Sequence, residues 1–225
     1  MPVDYKELYR ELPKVTVYYL LITFVVATAT QINQQWIRSF GIHRAFLFSR
    51  RGMKRMILSP FYTGRVSIGF LMSSIFDTKC MWGLEKNTFK RHFADFVWML
   101  LLGMMGTFIG TLCVPSYVFV GISLKFMILY YWTRRNPFFR VSLYMIPLKA
   151  TLLPYALLFV HFLTTAEVPW SGIIGIVLGH TYYFFRDVIP TAYQKQGKRD
   201  PRWTRAPRIL RVICREEPWT HPHAD

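Results

Sequence analysis

Apolar residues in this chain fall in long runs, and charged residues gather between them. The stretch 15–32, VTVYYLLITFVVATATQI, carries no charge, and 97–131 carries only Lys125. About 20 largely apolar residues cross roughly 30 Å of hydrocarbon as a helix. The pattern predicts six membrane-spanning helices, over about 15–32, 66–83, 93–114, 116–132, 148–165 and 170–186. The second is interrupted by Asp77 and Lys79, the fourth by Lys125, and the fifth by Pro154. A proline kinks or breaks a soluble helix, but neighbouring helices in a bundle can satisfy the carbonyl it frees. The fold class expected is an all-α membrane protein, a six-helix bundle with a long interfacial first loop.

Composition agrees. Of 225 residues, 52% are hydrophobic and 18% charged, against about a quarter charged in soluble domains. The N-terminus MPVDYKELYRELPK is mixed in charge and does not read as a cleavable signal. Cys80, Cys113 and Cys214 are scattered and fit neither a disulfide framework nor a zinc site. The net charge of +16 does not imply nucleic acid, because the basic residues flank apolar runs, where they meet anionic headgroups and set topology.

Lys and Arg also give the orientation. Lys6, Arg10 and Lys14, then Lys86, Lys90 and Arg91, then Arg134, Arg135 and Arg140, and nine basic residues from Arg186 to Arg215 share one side. The loops near 115 and 167 hold none, so both termini are expected in the cytosol. The first loop opposes this, with Arg38, Arg44, Arg50, Arg51, Lys54, Arg55 and Arg65. It alternates apolar and basic residues (HRAFLFSRRGMKRMILSPF) and is expected to lie in the membrane interface, with Arg55 as an anchor to headgroups. Two units are expected: a membrane domain over 1–190 and a basic cytosolic tail over 191–225. In the tail, Ala206, Ile209, Leu210 and Ile213 share one helix face, with Arg205, Arg208, Arg211 and Arg215 elsewhere. That spacing predicts a basic helix on the cytosolic leaflet.

Several dispersed motifs resemble those of the Derlins, the rhomboid-related pseudoproteases of the endoplasmic reticulum. They are FADFVWMLLLG (93–103), LYYWTRRNPFFR (129–140, with Trp132 and Asn136), LLPYALLFV (152–160), GIVLGHTYYFFRDVIP (175–190) and APRILRVI (206–213). Together they cover nearly the whole chain in the family's order. Two features depart from it. Lys54 stands where a first-loop Trp would precede Arg55. The ending REEPWTHPHAD lacks the short tail motif by which many Derlins bind an AAA ATPase.

The resemblance implies tests for protease chemistry. Active rhomboids carry a Gly-x-Ser-Gly nucleophile motif early in the fourth span. GISL (121–124) places Ser123 there, with Leu124 for the second Gly. The rhomboid base lies three residues before the first Gly of the sixth-span Gly-x-x-x-Gly. Gly175 and Gly179 put that position at Gly172, which has no side chain. His180 lies eight residues further on, about 12 Å along the axis and about 80° around it, far from the ~3 Å a base requires. His180 therefore reads as structural. Gly175 and Gly179 share a helix face that permits a close crossing, expected on the fourth span near Ser123.

Asp77 and Lys79 read as snorkelling near a helix end. Lys125 is deeper and is a candidate for a polar cavity. Glu85 and Asn136 read as capping or loop-pinning residues.

By resemblance, the chain is a non-proteolytic component of ER-associated degradation in the ER membrane. It would aid retrotranslocation of misfolded proteins, with a membrane ubiquitin ligase complex and, indirectly, a cytosolic AAA ATPase as partners. Self-association or assembly with relatives stays open. No cofactor or metal is expected, and no nucleotide-binding motif is evident. Two alternatives remain at this stage: an intramembrane serine protease using Ser123, and a transporter or channel around Lys125.

Overall fold

The computed structural model describes residues 13–33, 37–44, 57–90, 92–143, 146–197 and 205–214. Each of the six apolar runs carries a helix. These are α1 (Lys14–Ile32), α2 (Ile68–Gly83), α3 (Phe93–Leu112), α4 (Val120–Arg135), α5 (Leu153–Thr165) and α6 (Trp170–Tyr183). By length and composition, α1 over Val15–Ile32 and α3 are apolar and long enough to cross a membrane.

The fold is mostly helical but not wholly so. An antiparallel hairpin, β1 (Arg140–Leu143) with β2 (Ile146–Lys149), joins α4 to α5 and pairs Arg140 with Lys149. The apolar-run pattern has no means of marking so short a ladder, which corrects the all-α expectation. Pro154 does not kink α5. It sits in the first turn, where a missing N–H leaves no helical bond unmade. Beyond α6, a π-helical stretch (Phe184–Val188) and α7 (Ile189–Lys195) continue the rod past residue 190. The last helix, α8, spans only Arg208–Ile213.

α4 is the axis of the bundle. Val120, Gly121, Ser123, Leu124 and all residues from Met127 to Thr133 are buried. Around it, Cys80, Leu84, Phe96, Met99 and Trp132 form the main core. The outer faces are apolar instead of charged: Val25, Met72, Ile109 and Leu163 are all well exposed. Two buried hydroxyls are satisfied within their own helix: Thr107 and Thr111 donate to carbonyls one turn back, each at 2.8 Å.

The described ends of the first loop do not lie apart from the bundle. Ile42 and Val118 exchange backbone hydrogen bonds of 2.9 and 2.8 Å. Ser59 Oγ accepts from Val120 N at 3.1 Å, capping the open N-terminus of α4. A Cβ on Gly121 would meet the carbonyl oxygens of Tyr62 and, at 2.7 Å, Pro60. Only glycine lets the loop backbone approach α4 this closely.

Carboxylates tie the opposite ends. No side chain of its own caps α1; instead Glu85 accepts from Thr16 N at 3.0 Å, Thr16 Oγ1 at 2.7 Å and Val15 N at 3.3 Å. Asp95 accepts from Arg186 Nη2 at 3.2 Å and from Ala206 N at 2.8 Å. Ala206 thus precedes α8 and is buried, while Ile209 and Ile213 are exposed; the four tail positions do not share one surface.

Replacing Glu85 by Ala strands two backbone N–H groups at the start of α1. Glu85→Ala should lose about 1–3 kcal/mol of stability, read as a lower melting temperature of the detergent-solubilised chain. An unchanged melting temperature would refute the capping role.

Candidate functional site

Ser123 is fully buried on α4. Its hydroxyl donates to the carbonyl of Ser171, at 2.7 Å, in the first turn of α6. Ser171 in turn uses its Oγ to accept from Phe119 N at 3.0 Å. Both serines are therefore joints between the starts of α4 and α6. A nucleophilic serine needs a nitrogen or carboxylate base on its hydroxyl; here the acceptor is a backbone carbonyl. Gly172 follows Ser171, and a Cβ there would meet Leu158 of α5 and, at 3.1 Å, the Phe126 ring. The space beside Gly172 is apolar.

Gly175 and Gly179 lie against α4. A Cβ at Gly175 would strike the Ser123 carbonyl and sit 2.7 Å from Phe126 Cβ. At Gly179 it would sit 3.0 Å from the Met127 carbonyl oxygen and 2.9 Å from Tyr130 Cβ. Successive turns of α6 thus rest on successive turns of α4, backbone against backbone. α3 completes the layer with large-into-small contacts: Gly106 faces Leu178, and Gly110 faces Ile174.

His180 meets different partners from Ser123. Its Nδ1 lies 2.8 Å from the Tyr130 hydroxyl, which accepts from Arg134 Nε at 2.9 Å. With its lone pair engaged by Arg134, the Tyr130 hydroxyl has its proton free for His180. The arrangement ties α6 to α4 near their common end. His161 lies on an exposed part of α5.

Two further motif residues close the end of α4. Asn136 donates to the Trp132 carbonyl from its backbone N and from Nδ2, both at 3.0 Å. That satisfies a C-terminal orphan carbonyl. The Trp132 indole fills the space over Gly83, where a Cβ would lie 2.9 Å from Nε1. Past α6, Arg186 turns to Asp95 and stacks over the Phe89 ring at 4.5 Å. Asp187 pairs with Arg135 at 3.1 Å. Burial raises the Asp187 carboxyl above its ordinary pKa, and Arg135 opposes that shift.

Lys125 pairs with Asp77 at 2.9 Å. Asp77 therefore does not snorkel; its partner comes from α4. Lys79 is exposed. Arg55 and Lys54 lie outside the described residues. Among the described residues no group of three or more His, Cys, Asp or Glu is placed to hold a metal.

Sequence reasoning passed over Ser171 and Asp95. Ser171 had a signal, a hydroxyl at the mouth of the sixth helix beside Gly172. Asp95 is an acidic residue in the first turn of an apolar helix, where it meets the helix dipole favourably. Its two partners lie 91 and 111 residues away.

Apolar outer faces, span-length helices and small-residue crossings are consistent with a membrane protein, one whose central serine has no base on its hydroxyl. The chain matches the model of the Der1-like family over residues 12–200. Over 200 residues it is 32% identical to Derlin-1 of Arabidopsis thaliana, covering 88% of this chain and 74% of that one. It is 28% identical to Derlin-1 of Oryza sativa subsp. japonica, covering 88% and 82%. Derlin-2.1 of Arabidopsis thaliana is 28% identical across 95% of this chain and 89% of its own. The chain belongs to the Der1-like family.

The α6-on-α4 contact is open to direct test. Gly175→Ala forces a methyl onto the Ser123 carbonyl and should cost about 1–3 kcal/mol; Gly175→Leu should abolish a monodisperse fold. Gly69, whose nearest neighbour for an added Cβ is 3.8 Å away, serves as control, and Gly69→Ala should leave the melting temperature nearly unchanged. Equal behaviour of the two alanine variants in size exclusion and thermal melting would refute the contact.

Proposed function

We propose that this chain is a six-span, proteolytically inactive Derlin that acts in ER-associated degradation and helps misfolded proteins pass from the ER toward the cytosol. The observation that carries the reading is the Ser123–Ser171 hydrogen bond beside a base position, Gly172, lined by Leu158 and Phe126. A serine held by a carbonyl has no route to a nucleophilic oxyanion. Family membership supports the same reading, as Derlins resemble rhomboids and are not proteases.

On this reading all six helices cross the bilayer, with both termini in the cytosol. α4 has 16 residues, and α5 with the turn that leads into it spans only Ala150–Thr165, short for a span of about 20. Helices shorter than the hydrocarbon thickness thin the bilayer around them. A thinned bilayer lowers the cost of moving polar segments across, and that is work a protein without catalytic chemistry can do. Residues 191–225 form a basic cytosolic tail whose α8 lies on the leaflet. Directional extraction draws its energy from a cytosolic AAA ATPase, recruited through a membrane ubiquitin ligase complex.

The test is a cycloheximide chase of a misfolded ER glycoprotein in cells lacking the chain, with wild type, Ser123→Ala or Gly175→Leu added back. Degradation should slow several-fold without the chain, recover with wild type and Ser123→Ala, and not recover with Gly175→Leu. Normal turnover without the chain would overturn the role in degradation. Loss of rescue by Ser123→Ala alone would restore the protease reading.

A further inference from the structure

Between α1, α2 and α4 lies a cavity of about 20 Å³, room for a single water molecule. Tyr19 and Thr23 of α1, Ser74, Asp77 and Cys80 of α2, and Lys125 of α4 line it. Three features mark it as more than a packing gap. Its walls carry the Asp77–Lys125 ion pair, and each side chain keeps about a fifth of its surface exposed, at 21% and 18%. Thr23 is 3% exposed, and its Oγ1 has no hydrogen-bond partner of ordinary geometry. The neighbouring Tyr19 hydroxyl donates to the Pro60 carbonyl at 2.9 Å, and its oxygen lies toward the Thr23 hydroxyl without a hydrogen bond of ordinary geometry.

Hydrogen-bond accounting identifies what belongs there. An ammonium has three protons to donate and a carboxylate about four lone-pair sites; their single mutual contact leaves most of both unmet. A buried hydroxyl with no partner costs about 1–3 kcal/mol. An ion pair removed from water recovers its desolvation only when its remaining donors and acceptors are also satisfied. One water accepting from Lys125 and donating to Asp77 and Thr23 would have the two to four partners that a buried water requires.

We propose that Thr23, Asp77 and Lys125 form a water-binding site inside the bundle, hydrating an ion pair held at membrane depth. The proposal rests on the reading that α1, α2 and α4 cross the bilayer. Lys125 is five residues into α4 and Asp77 nine into α2, about 8 and 14 Å from the helix starts. The site is distinct from the Ser123–Ser171 joint, which faces α6. It gives α2 a polar inner face although its opposite face, with Met72 and Ile75, is exposed and apolar. A hydrated pair at this depth offers a hydrogen-bonding group to a polar segment where lipid offers none.

The experiment uses the full chain, freed of its three cysteines, in proteoliposomes. Single cysteines are introduced at Ser74 in the cavity wall, at Met72 on the outer face of the same helix, and at Lys195 in solvent. The probe is hydrogen peroxide, close to water in size, which oxidises thiolates to sulfenic acids and so reports water at the sulfur. Ser74→Cys should react about tenfold or more faster than Met72→Cys. Adding Thr23→Val should slow it several-fold and lower the melting temperature, because the valine cannot bind the water. Adding Asp77→Leu together with Lys125→Met removes both charges without stranding either, and should bring the rate down to that of Met72→Cys.

Equal, slow reaction at Ser74 and Met72 would overturn the site and leave the membrane reading standing. A rate at Met72 matching that at Lys195 would overturn the membrane reading and the site with it. A Thr23→Val variant that melts higher, with the Ser74 rate unchanged, would mean a dry orphan hydroxyl and sink the proposal.

Discussion

The contact on which the rest of this structure depends is the crossing of α6 on α4. Lipid gives two helices no hydrophobic reason to meet, since tails are as apolar as leucine. Association must come from close van der Waals contact and from hydrogen bonds between helices. Gly175 and Gly179 supply the first by bringing backbone onto backbone at Ser123 and Met127. Ser123, Ser171, Tyr130 and His180 supply the second at the two ends of the same crossing. The glycines set the spacing, and that spacing puts the hydrogen bonds within reach. Once α4 and α6 are fixed, α3 fits its own glycines under Ile174 and Leu178, and the first loop closes over Gly121.

A different kind of interaction holds the chain ends. Glu85 and Asp95 each gather donors from segments distant in sequence, and Asp187 pairs across to Arg135. Charge-assisted hydrogen bonds of this kind are about twice as strong as neutral ones, and they suit helix ends, where unpaired backbone N–H groups collect. The division follows from the solvent. Small-residue contact works where there is no water, and carboxylates work at the margins where helices terminate. The Asp77–Lys125 pair is the exception, a charged contact well inside two helices, and it is beside this pair that a cavity remains.

The helices were legible in the sequence because apolar runs and their charged breaks record a one-dimensional property. Four of the six began and ended within three residues of the expected place; the fourth began at Val120, four residues late, and the fifth at Leu153, because Pro154 starts a helix instead of interrupting one. The Gly-x-x-x-Gly face was legible as a contact surface from its spacing. Pairings between distant residues were not. Nothing near Asp95 names Ala206, and nothing near Asp77 names Lys125, since both depend on how the helices are arranged. The hairpin after α4 was missed because four-residue strands leave no periodic trace. Snorkelling of Asp77 was the reading of a helix considered alone; a partner on α4 displaces it.

The setting of Ser123 is a matter of volume as well as chemistry. A nucleophilic serine needs a base within hydrogen-bond reach. Position 172, next to Ser171 on α6, is a glycine, and its neighbours fill the space beside it. Leu158 from α5 and the Phe126 ring from α4 close over Gly172 so tightly that a single added carbon would touch both. A histidine placed there would meet two packed apolar side chains before it met Ser123. The hydroxyl, meanwhile, has a full hydrogen bond to Ser171, and an attacking serine would have to break it. Side chains from α4, α5 and α6 thus close around Ser123 and Gly172, and the serine serves as a fastening in the bundle.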